Sequence, residues 1–405
     1  MKKVTVVGGG FAGLTVALKL AQKGFKVHLH EKSARLGGLL GTEYGEFGMA
    51  ERAANSMILT DRSEKLFKEI GLDLTFPLES SKKRFIFRGF PKAMPLNPFE
   101  ILKVAFTVIP RVLFAKASLK PNAGETLKDW GLRRLGKAAT TYLLGPAMQG
   151  IYANESQDLS ASLIISPLFK KDREKFRGTI SGPQGMQDIV DYLHATLQQL
   201  DVEIYLESDI DVSNVDGPVV IATSANAASN ILTKCAPEIS KILARVNMSS
   251  LISTTVFFDK AQTKYKGFGC LIPRGLKLRT FGVLMPPYIF AGRNKNYNET
   301  WIMGGKNNQD LLNYTDKDLL DLISKERKSI FKRQDSILDA KIFRWNQALP
   351  VYDLELEKIQ QELSQSPALA AKDVFLHGNY LSGIGLSKIL ERSERLSEEI
   401  ASQHG

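Results

Sequence analysis

Residues 3–31 of the chain are KVTVVGGGFAGLTVALKLAQKGFKVHLHE, and this stretch decides the fold. The β-branched run at 3–7 predicts a strand, and apolar residues at helical spacing over 14–23 predict a helix that ends at Gly24. Residues 25–30 alternate in polarity and predict a second, parallel strand. The stretch therefore predicts a β-α-β unit with a tight glycine turn before its helix.

The glycine turn has the G-x-G-x-x-G pattern of dinucleotide-binding folds. Its first glycine permits the turn, its second lets the backbone approach a pyrophosphate, and its third lets helix and strand pack closely. The helix N-terminus supplies amide donors and a partial positive charge to the phosphates. Glu31, eighteen residues after Gly13, is placed to accept hydrogen bonds from ribose hydroxyls. The alternative is a glycine turn of purely structural use. The predicted cofactor contacts in the turn are Gly8, Gly10, Phe11, Ala12 and Gly13.

The residues after Glu31 favour FAD over NAD as the dinucleotide. Residues 31–38 are EKSARLGG, so a cation and two glycines follow the ribose acid. Arg35 can reach the pyrophosphate, and the glycines let the chain pass close to an extended cofactor. The alternative for Arg35 is a solvated surface charge. The sequence thus predicts non-covalent FAD, with further contacts at Lys32, Arg35, Gly37, Gly38 and Leu39.

The bulk composition is that of a folded globular protein of two or three domains. The chain has 405 residues, of which 43% are hydrophobic and 24% charged. Cys235 and Cys270 lie far apart, so neither a disulfide framework nor a zinc site is predicted. The five histidines are isolated along the chain, and no metal site or catalytic triad is expected. A cytoplasmic location is expected, because the N-terminus has no pattern of a secretory signal. We expect the flavin to carry the chemistry.

Five later segments resemble one family, the FAD-dependent protoporphyrinogen oxidases within the monoamine-oxidase-like flavoproteins. Three departures are visible: the stretch from Asp209 to Thr223 is shorter than the usual connection, alanines replace Gly and Pro at Ala53 and Ala54, and the arginine that anchors a substrate propionate in some relatives has no counterpart. The segments are 51–57 (ERAANSM, against ExGPNSF beside the flavin), 150–153 with 158–160 (GIYA and DLS, against GVYAGD…LS), 182–187 (GPQGMQ, against a GGMQ turn), 345–352 (WNQALPVY, against W…AIPQY) and 378–383 (GNYLSG, against GNxxxG).

The resemblance implies an α/β fold in which a discontinuous, Rossmann-like FAD-binding domain carries an inserted α+β substrate domain and a helical, membrane-associating segment. The implied FAD-binding domain comprises residues 1–75, 176–235 and 370–405. The helical basic region covers 91–175, and the substrate domain covers 76–90 and 236–369. The implied flavin contacts are Ala54, Asn55, Ser56, Trp345, Gly378 and Asn379, with Ile210 beside the adenine. Burial in an ordinary strand explains Ile210 equally well.

The last glycine-rich segment also has a direct physical interpretation. Backbone amides of Gly385, Leu386 and Ser387 at a helix N-terminus could stabilise negative charge at the N1–O2 edge of a reduced flavin. The alternative is a C-terminal turn and helix that merely complete the sheet.

By resemblance, the activity is the six-electron oxidation of protoporphyrinogen IX to protoporphyrin IX in haem biosynthesis. The family's mechanism is hydride transfer from a meso carbon to flavin N5, in three cycles with intervening tautomerisation, and dioxygen as the expected acceptor. Oxidation of coproporphyrinogen III, whose four carboxylates would suit a basic region, is a close alternative. Another flavin amine oxidase or a carotenoid-type desaturase, and a non-catalytic flavin-binding protein, also stay open.

The net charge of +11 is concentrated in residues 82–137, which hold thirteen Lys or Arg but three acids. Within it, residues 99–114 are mainly apolar, yet too short and too charged to cross a bilayer. They fit an interfacial helix that lies on an anionic membrane, which would place the protein peripherally on the inner face of the cell membrane. The alternative is a buried helix of the substrate domain. No nucleic-acid-binding module is recognisable there. The predicted substrate-carboxylate contacts are Arg84, Arg88 and Lys92, each of which could instead be a solvated charge.

Overall fold

The computed structural model describes residues 2–170, 174–366 and 373–404, and this part contains two large sheets and two small ones. The strands are β1 (Lys3–Val7), β2 (Lys26–His30), β3 (Thr42–Gly45), β4 (Gly48–Glu51), β5 (Met57–Ile58), β6 (Arg84–Arg88), β7 (Phe90–Lys92), β8 (Thr179–Ile180), β9 (Glu203–Tyr205), β10 (Val219–Ile221), β11 (Met248–Phe258), β12 (Gly269–Leu271), β13 (Gly282–Leu284), β14 (Tyr297–Gly304), β15 (Ile337–Pro350) and β16 (Val374–Leu376).

Helices cover the parallel sheet and form a separate group between residues 98 and 165. A π-helical turn at Thr140–Leu144 joins the fifth helix to the sixth. The α-helices are α1 (Phe11–Gln22), α2 (Asp61–Glu69), α3 (Pro98–Phe114), α4 (Leu127–Arg134), α5 (Lys137–Ala139), α6 (Gly145–Tyr152), α7 (Ala161–Ile165), α8 (Gln187–Gln199), α9 (Ala225–Leu232), α10 (Pro237–Ala244), α11 (Asp316–Phe331), α12 (Leu354–Gln365), α13 (Asn379–Ser382) and α14 (Leu386–His404).

The first large sheet is parallel and has the strand order β16-β10-β1-β2-β9. Its strands come from the two ends of the chain and from residues 203–221, so the sheet is assembled from distant segments. The predicted α/β architecture with a discontinuous dinucleotide-binding sheet is confirmed. The predicted domain limits at residues 75, 175 and 235 stay a prediction, and the limit at 369/370 lies outside the described residues.

Helix α1 begins at Phe11, three residues before the predicted start, because the glycine turn leads directly into it with Gly10 as the N-cap. Residues 11–20 of α1 are all buried, since α8 and α14 pack against the helix while its other side faces the sheet. This arrangement explains why α1 is apolar around most of its circumference.

The second large sheet is mixed and has the order β15-β11-β14-β13-β12-β6-β7. One face packs on α11 in a core that includes Ile252, Trp301 and Ile323. On the other face, Leu251 and Ile302 belong to a smaller cluster that also includes Leu39 and Ala53 of the N-terminal segment. This second face therefore lies against the parallel-sheet domain, and the candidate site is built at that contact.

Helix α3 lies on the surface of the molecule. None of its seventeen residues, all within the described part of the chain, is buried. Phe99, Phe106 and Phe114 are 84%, 78% and 87% exposed. The prediction that residues 99–114 could be a buried helix of the substrate domain is therefore wrong. Among the described residues, no helix combines the length and the apolar character needed to cross a bilayer.

Candidate flavin site

The first glycine turn is closely packed where the pattern predicts close packing. Gly8 adopts φ +108°, and a Cβ at Gly13 would lie 1.8 Å from the Gly8 carbonyl oxygen. The Gly9 amide donates to Glu31 Oε2 at 2.6 Å, while the amide of Ser33 donates to Oε1 at 2.8 Å. The turn thus brings the predicted ribose acid directly beside the glycine loop.

A second glycine loop lies against the first. The Gly37 amide donates to the Gly9 carbonyl at 2.8 Å, and both Gly37 and Gly38 have positive φ, +103° and +58°. Arg35 donates to the carbonyls of Leu36 at 2.9 Å and Leu40 at 3.1 Å, and also to that of Gly38. Burial lowers the pKa of the Arg35 guanidinium. Arg35 therefore fixes the shape of this loop, and its contact with a pyrophosphate stays a prediction.

Two glycines in the site face open space, which is the observation that tests whether a dinucleotide fits. A Cβ on Gly10 would find its nearest neighbour, Gly38 Cα, at 4.0 Å, and one on Gly385 would find Ser387 Oγ at 4.0 Å. A Cβ on Gly37, by contrast, would lie 2.8 Å from the Leu40 carbonyl oxygen. The open space at each of these two glycines is what the close approach of a cofactor to the backbone requires.

Helices α1 and α14 pack against one another. Thr15 Oγ1 of α1 and Ser393 Oγ of α14 are 2.8 Å apart, and Leu386 packs in the same core as Phe11 and Ala54. The Gly385 carbonyl accepts hydrogen bonds from the amides of residues 388 and 389. The amides of residues 385–387 come before these first intrahelical donors and have no partner within the helix. The N-terminus of α1 and the N-terminus of α14 thus each offer free amides and a positive helix end, which suits a pyrophosphate and a reduced flavin.

The segment 51–57, predicted to run beside the flavin, meets the predicted Trp345. Trp345 Nε1 donates to the Arg52 carbonyl at 3.2 Å. Trp345 also packs with Leu39, Ala53 and Ala153 in one apolar cluster, and Ala153 belongs to the GIYA motif. Three separate sequence motifs thus converge on the same wall.

Glu51 fastens this segment to the turn at 182–187. Thr42 Oγ1 donates to Glu51 Oε2 at 2.7 Å, and the Met186 amide donates to Oε1 at 3.1 Å. Burial raises the pKa of the Glu51 carboxyl to about 7, although Thr42 and the Arg293 guanidinium, 3.9 Å away, oppose that shift. The sequence had singled out Glu51 as part of a motif without assigning it this linking role.

The C-terminal glycine turn closes the site from the end of the parallel sheet. A Cβ on Gly378 would lie 3.0 Å from the Thr223 carbonyl oxygen. The Asn379 carbonyl accepts a hydrogen bond from the Tyr352 hydroxyl, and Tyr352 ends the WNQALPVY motif. The Asn55 Nδ2 donates to the Ala53 carbonyl at 2.9 Å, which turns the flavin-adjacent segment toward Ser56.

Ile210 and Lys32 lie near the ribose acid. The Ser208 amide donates to the Glu31 carbonyl at 3.0 Å. Ile210 is two residues further along the chain from Ser208, and its side chain is partly buried against the core. Lys32 pairs with Asp209 at 2.8 Å on the exposed surface. This geometry is compatible with Ile210 beside an adenine, which stays a prediction.

Each of the three predicted substrate cations already has a partner within the protein. Arg88 is bound to Glu100 at 2.7 Å and stacks over the Tyr142 ring, so its charge already serves to hold α3. Arg84 lies over the Phe268 ring and Lys92 over the Phe90 ring. Their contact with a substrate carboxylate stays a prediction.

A cavity of about 480 Å³ is lined in part by Trp345. Its cationic side chains were missed by the sequence reasoning, although Arg52 stands inside a segment that had been singled out. No pattern marked Lys341, because the strand that carries it had not been predicted. The cavity is lined by Glu43, Arg52, Ala340, Lys341, Ile342, Phe343, Arg344 and Trp345.

Comparison with known proteins agrees with this geometry. The chain is similar to protoporphyrinogen oxidase 2, chloroplastic/mitochondrial, of Arabidopsis thaliana, at 23% identity over 96% of this chain and 91% of that protein. Its fold is similar to that of a candidate protoporphyrinogen oxidase from Exiguobacterium sp. 255-15, with a TM-score of 0.78, 20% identity and coverage of 100% and 99% of the two chains. Putrescine oxidase bound to putrescine matches with a TM-score of 0.74, 13% identity and coverage of 99% of each chain.

A family model settles the class of protein. The model of the flavin containing amine oxidoreductases matches residues 11–386, from the first residue of α1 to the first residue of α14. The open glycine turn at Gly10, the helix N-terminus that follows it and the apolar wall at Trp345 fit FAD, the cofactor of this family. The chain belongs to the flavin-containing amine oxidoreductases and is an FAD-dependent oxidoreductase.

Proposed function

We propose that the protein oxidises a porphyrinogen to the corresponding porphyrin, with protoporphyrinogen IX as the first candidate substrate. The observation that carries the proposal is the convergence of motifs 51–57, 150–153 and 345–352 on one wall at Trp345. Those motifs resemble protoporphyrinogen oxidases, and the similarity to the Arabidopsis protein extends over 96% of this chain.

When bound, FAD would supply a two-electron oxidation, and dioxygen, reduced to hydrogen peroxide, is the candidate electron acceptor. Three such cycles remove six electrons in total. The chain's own residues would hold and orient the cofactor. The amides that begin α1 would bind the pyrophosphate near Gly10, and the amides of residues 385–387 would stabilise negative charge on the reduced ring. Trp345, Ala53 and Ala153 form an apolar wall that excludes water.

The test is anaerobic mixing of the FAD-loaded protein with protoporphyrinogen IX and, separately, coproporphyrinogen III. We expect bleaching of the flavin absorbance with at least one of them, followed by porphyrin fluorescence when air is admitted. The substrate that bleaches the flavin faster is the preferred porphyrinogen. The FAD-loaded protein without substrate, taken through the same cycle of anaerobiosis and air, is the control.

A flavin that stays oxidised with both porphyrinogens would refute the proposal. The second candidate is an amine oxidase, which the fold similarity to a putrescine-bound putrescine oxidase favours. The same anaerobic assay with putrescine and longer aliphatic amines tests it, because a competent amine would bleach the flavin directly.

We also propose that α3 attaches the protein to an anionic membrane surface. Its exposed apolar side chains are accompanied by Lys103 and Arg111, while its one acid, Glu100, is already paired with Arg88. An apolar helix face with flanking cations suits the boundary between acyl chains and anionic headgroups. Placement on a membrane would give the site access to a lipophilic substrate.

Substitution of two exposed residues of α3, Phe106→Ser with Leu113→Ser, is expected to weaken vesicle binding by at least about 10-fold, because each side chain loses its transfer into the apolar layer. Sedimentation with phosphatidylglycerol–phosphatidylcholine vesicles measures the effect, and phosphatidylcholine alone tests the part played by charge. Phe76→Ser, at another exposed apolar residue outside α3, is the control. Unchanged vesicle binding with a loss of self-association on gel filtration would instead identify α3 as a contact between two copies of the chain.

A further inference from the structure

The connection between β13 and β14 fastens the second large sheet to the N-terminal segment of the chain. Its residues 293–296, which we call the strap, are bound to the β3–β4 hairpin. The Met49 amide donates to Asn294 Oδ1 at 2.9 Å, and the Asn296 amide donates to the Phe47 carbonyl at 3.1 Å. Because this hairpin leads directly into the flavin-adjacent segment, the strap restrains the chain that precedes the flavin-site wall.

Gly48, the first residue of β4, allows the strap to approach the hairpin closely. It has φ +143°, and a Cβ at this position would lie 2.4 Å from Asn294 Oδ1 and 3.1 Å from a ring carbon of Phe257. A larger residue would have to displace Asn294 from its place beside the hairpin. The absence of a side chain at Gly48 therefore brings the strap within hydrogen-bonding distance of the hairpin.

Arg293 carries a buried positive charge at this contact. Its side chain is 5% exposed, its guanidinium lies 4.1 Å over the Phe290 ring, and it donates to the Gly182 carbonyl. Within the described part of the chain, its Nε finds no hydrogen-bond partner. Arg293 Nη1 lies 3.9 Å from Glu51 Oε1, and the Glu51 side chain is 9% exposed. The guanidinium therefore depends on the Glu51 carboxylate for compensation of its buried charge.

The Glu51 carboxylate joins three segments that are distant in the sequence. Thr42 of β3 donates to Oε2, the Met186 amide donates to Oε1 from the 182–187 turn, and Arg293 faces Oε1 from the strap. Glu51 is also the first residue of the segment predicted to run beside the flavin. One side chain therefore connects the flavin-adjacent segment to a turn and to the strap.

The charge on Glu51 depends on this enclosed environment. Burial raises the pKa of its carboxyl to about 7, and the Asp188 carboxylate of α8 acts in the same direction. The Thr42 hydroxyl and the Arg293 guanidinium oppose that rise. Tyr44 of β3 is a further ionisable group nearby, and burial together with the Asp188 and Glu51 carboxylates raises the pKa of its hydroxyl. Release of Glu51 into water would return its carboxyl to the usual pKa near 4.5.

We propose that Glu51 and Arg293 form a clasp between the strap and the flavin-adjacent segment, and that this clasp limits the rate at which FAD leaves the protein. Both are positioning residues, because they act on the cofactor site through the backbone of the hairpin and of the 182–187 turn. Opening of the clasp would free the segment that lines the site. The clasp acts on FAD whichever substrate the flavin oxidises.

Release of FAD from the loaded protein measures the clasp, with the rise in flavin fluorescence after dilution as the readout. Arg293→Met leaves the Glu51 carboxylate buried without its cation, so FAD release at pH 8 is expected to be at least about 10-fold faster than in wild type. Arg293→Lys keeps the positive charge and should recover most of that loss. Glu46→Gln, at an exposed acid of the same hairpin, is the matched control and should release FAD at the wild-type rate.

The pH profile of FAD release separates the clasp from a purely structural contact. A carboxyl whose pKa is higher in the closed clasp than in the open one stabilises the closed clasp most at low pH. That contribution is lost as the pH rises from about 4.5 to about 7. The ratio of the wild-type release rate to that of Glu51→Gln, which cannot titrate, should therefore increase over this window by up to about 10-fold per pH unit. In Arg293→Met the pKa of Glu51 lies higher, so the increase should continue above pH 7.

A milder variant decides the matter if Arg293→Met does not fold. Asn294→Ala removes only the acceptor of the Met49 amide, and it should accelerate FAD release by about 3-fold or more. Release at the wild-type rate from the folded strap variants at pH 8 would overturn the proposal. So would a ratio of wild type to Glu51→Gln that stays constant between pH 5 and pH 8. No substrate enters these measurements, so they remain decisive if neither porphyrinogen is oxidised.

Discussion

A chain carrying Gly10→Val is expected to fold and to contain no FAD. A Cβ at residue 10 meets no protein atom closer than 4.0 Å, and Gly10 has φ −73°, which any residue adopts. Two methyl groups on that Cβ would project into the space where the pyrophosphate must approach the backbone. The substitution therefore removes the cofactor without removing a contact of the folded chain.

The absorbance of the purified protein near the flavin bands measures this directly, with thermal unfolding as the second readout. We expect FAD affinity to fall by at least about 100-fold, which corresponds to roughly 3 kcal/mol of binding free energy. The variant should unfold at the temperature of wild-type apoprotein, because a ligand stabilises the folded state only while it is bound.

Gly13→Val is the informative comparison. Its Cβ would lie 1.8 Å from the Gly8 carbonyl oxygen, so this variant should fail to fold and lose FAD together with its structure. A yellow Gly10→Val protein with wild-type flavin content would contradict the assignment of the pyrophosphate to the first glycine turn.

The N-terminal β-α-β unit could be predicted from the sequence because each of its signals is local. The glycine turn, the alternating strand at 25–30 and the acid at Glu31 lie within one β-α-β unit, and the parallel sheet contains the predicted strands. The start of α1 was misjudged by three residues, since the glycines at residues 10 and 13 have no side chains and give no hydrophobic period.

The substrate side was harder to predict because its signals are nonlocal. The fourteen-residue strand β15 was not predicted, since charged residues such as Lys341 and Arg344 interrupt its apolar alternation. They are tolerated because β15 is the edge strand of its sheet and has a cavity beside it. A cluster formed by Arg52 and Lys341 could not be found without the fold, because nearly 300 residues separate them in the chain.

The basic region shows how a charge excess can be divided among roles. The concentration of Lys and Arg over 82–137 suggested a single surface that binds substrate or membrane. Two of these cations are instead used in ion pairs: Arg88 pairs with Glu100 of α3, and Arg133 of α4 pairs with Glu125. Both pairs hold helices of this region in position. The charges left around α3 accompany an exposed apolar face, so the same segment supplies the structural pairs and the proposed membrane contact.

Acid sensitivity is the second large expected effect, and it arises at His377, beside the C-terminal glycine turn. His377 is fully buried, and its Nε2 lies 2.8 Å from Ser393 Oγ, which in turn lies 2.8 Å from Thr15 Oγ1. Thr15 Oγ1 donates to the Phe11 carbonyl at 2.7 Å. A neutral His377 protonated at Nε2 completes this chain of donors, which ties β16 and α14 to the first turn of α1.

Burial lowers the pKa of His377 to about 3, and the neighbouring Arg392 charge acts in the same direction. An unfolded histidine has a pKa near 6.5, so the unfolded chain binds more protons between those two values. The stability that neutral His377 contributes is therefore fully present above about pH 6.5 and is lost as the pH falls toward 3. The slope is about 1.4 kcal/mol per pH unit, which amounts to roughly 3 kcal/mol between pH 6.5 and pH 4.

His377→Gln keeps a donor near the position of Nε2 but cannot titrate. Urea unfolding of both proteins at pH 7.5 and pH 4 should show the free-energy gap between wild type and variant shifting by roughly 3 kcal/mol in favour of the variant at the lower pH. Ser393→Ala breaks the hydrogen-bond chain without removing the histidine, so it should lower stability at both pH values. If the difference in unfolding free energy between wild type and His377→Gln stays constant with pH, His377 is not a buried neutral group linked to α1 and α14.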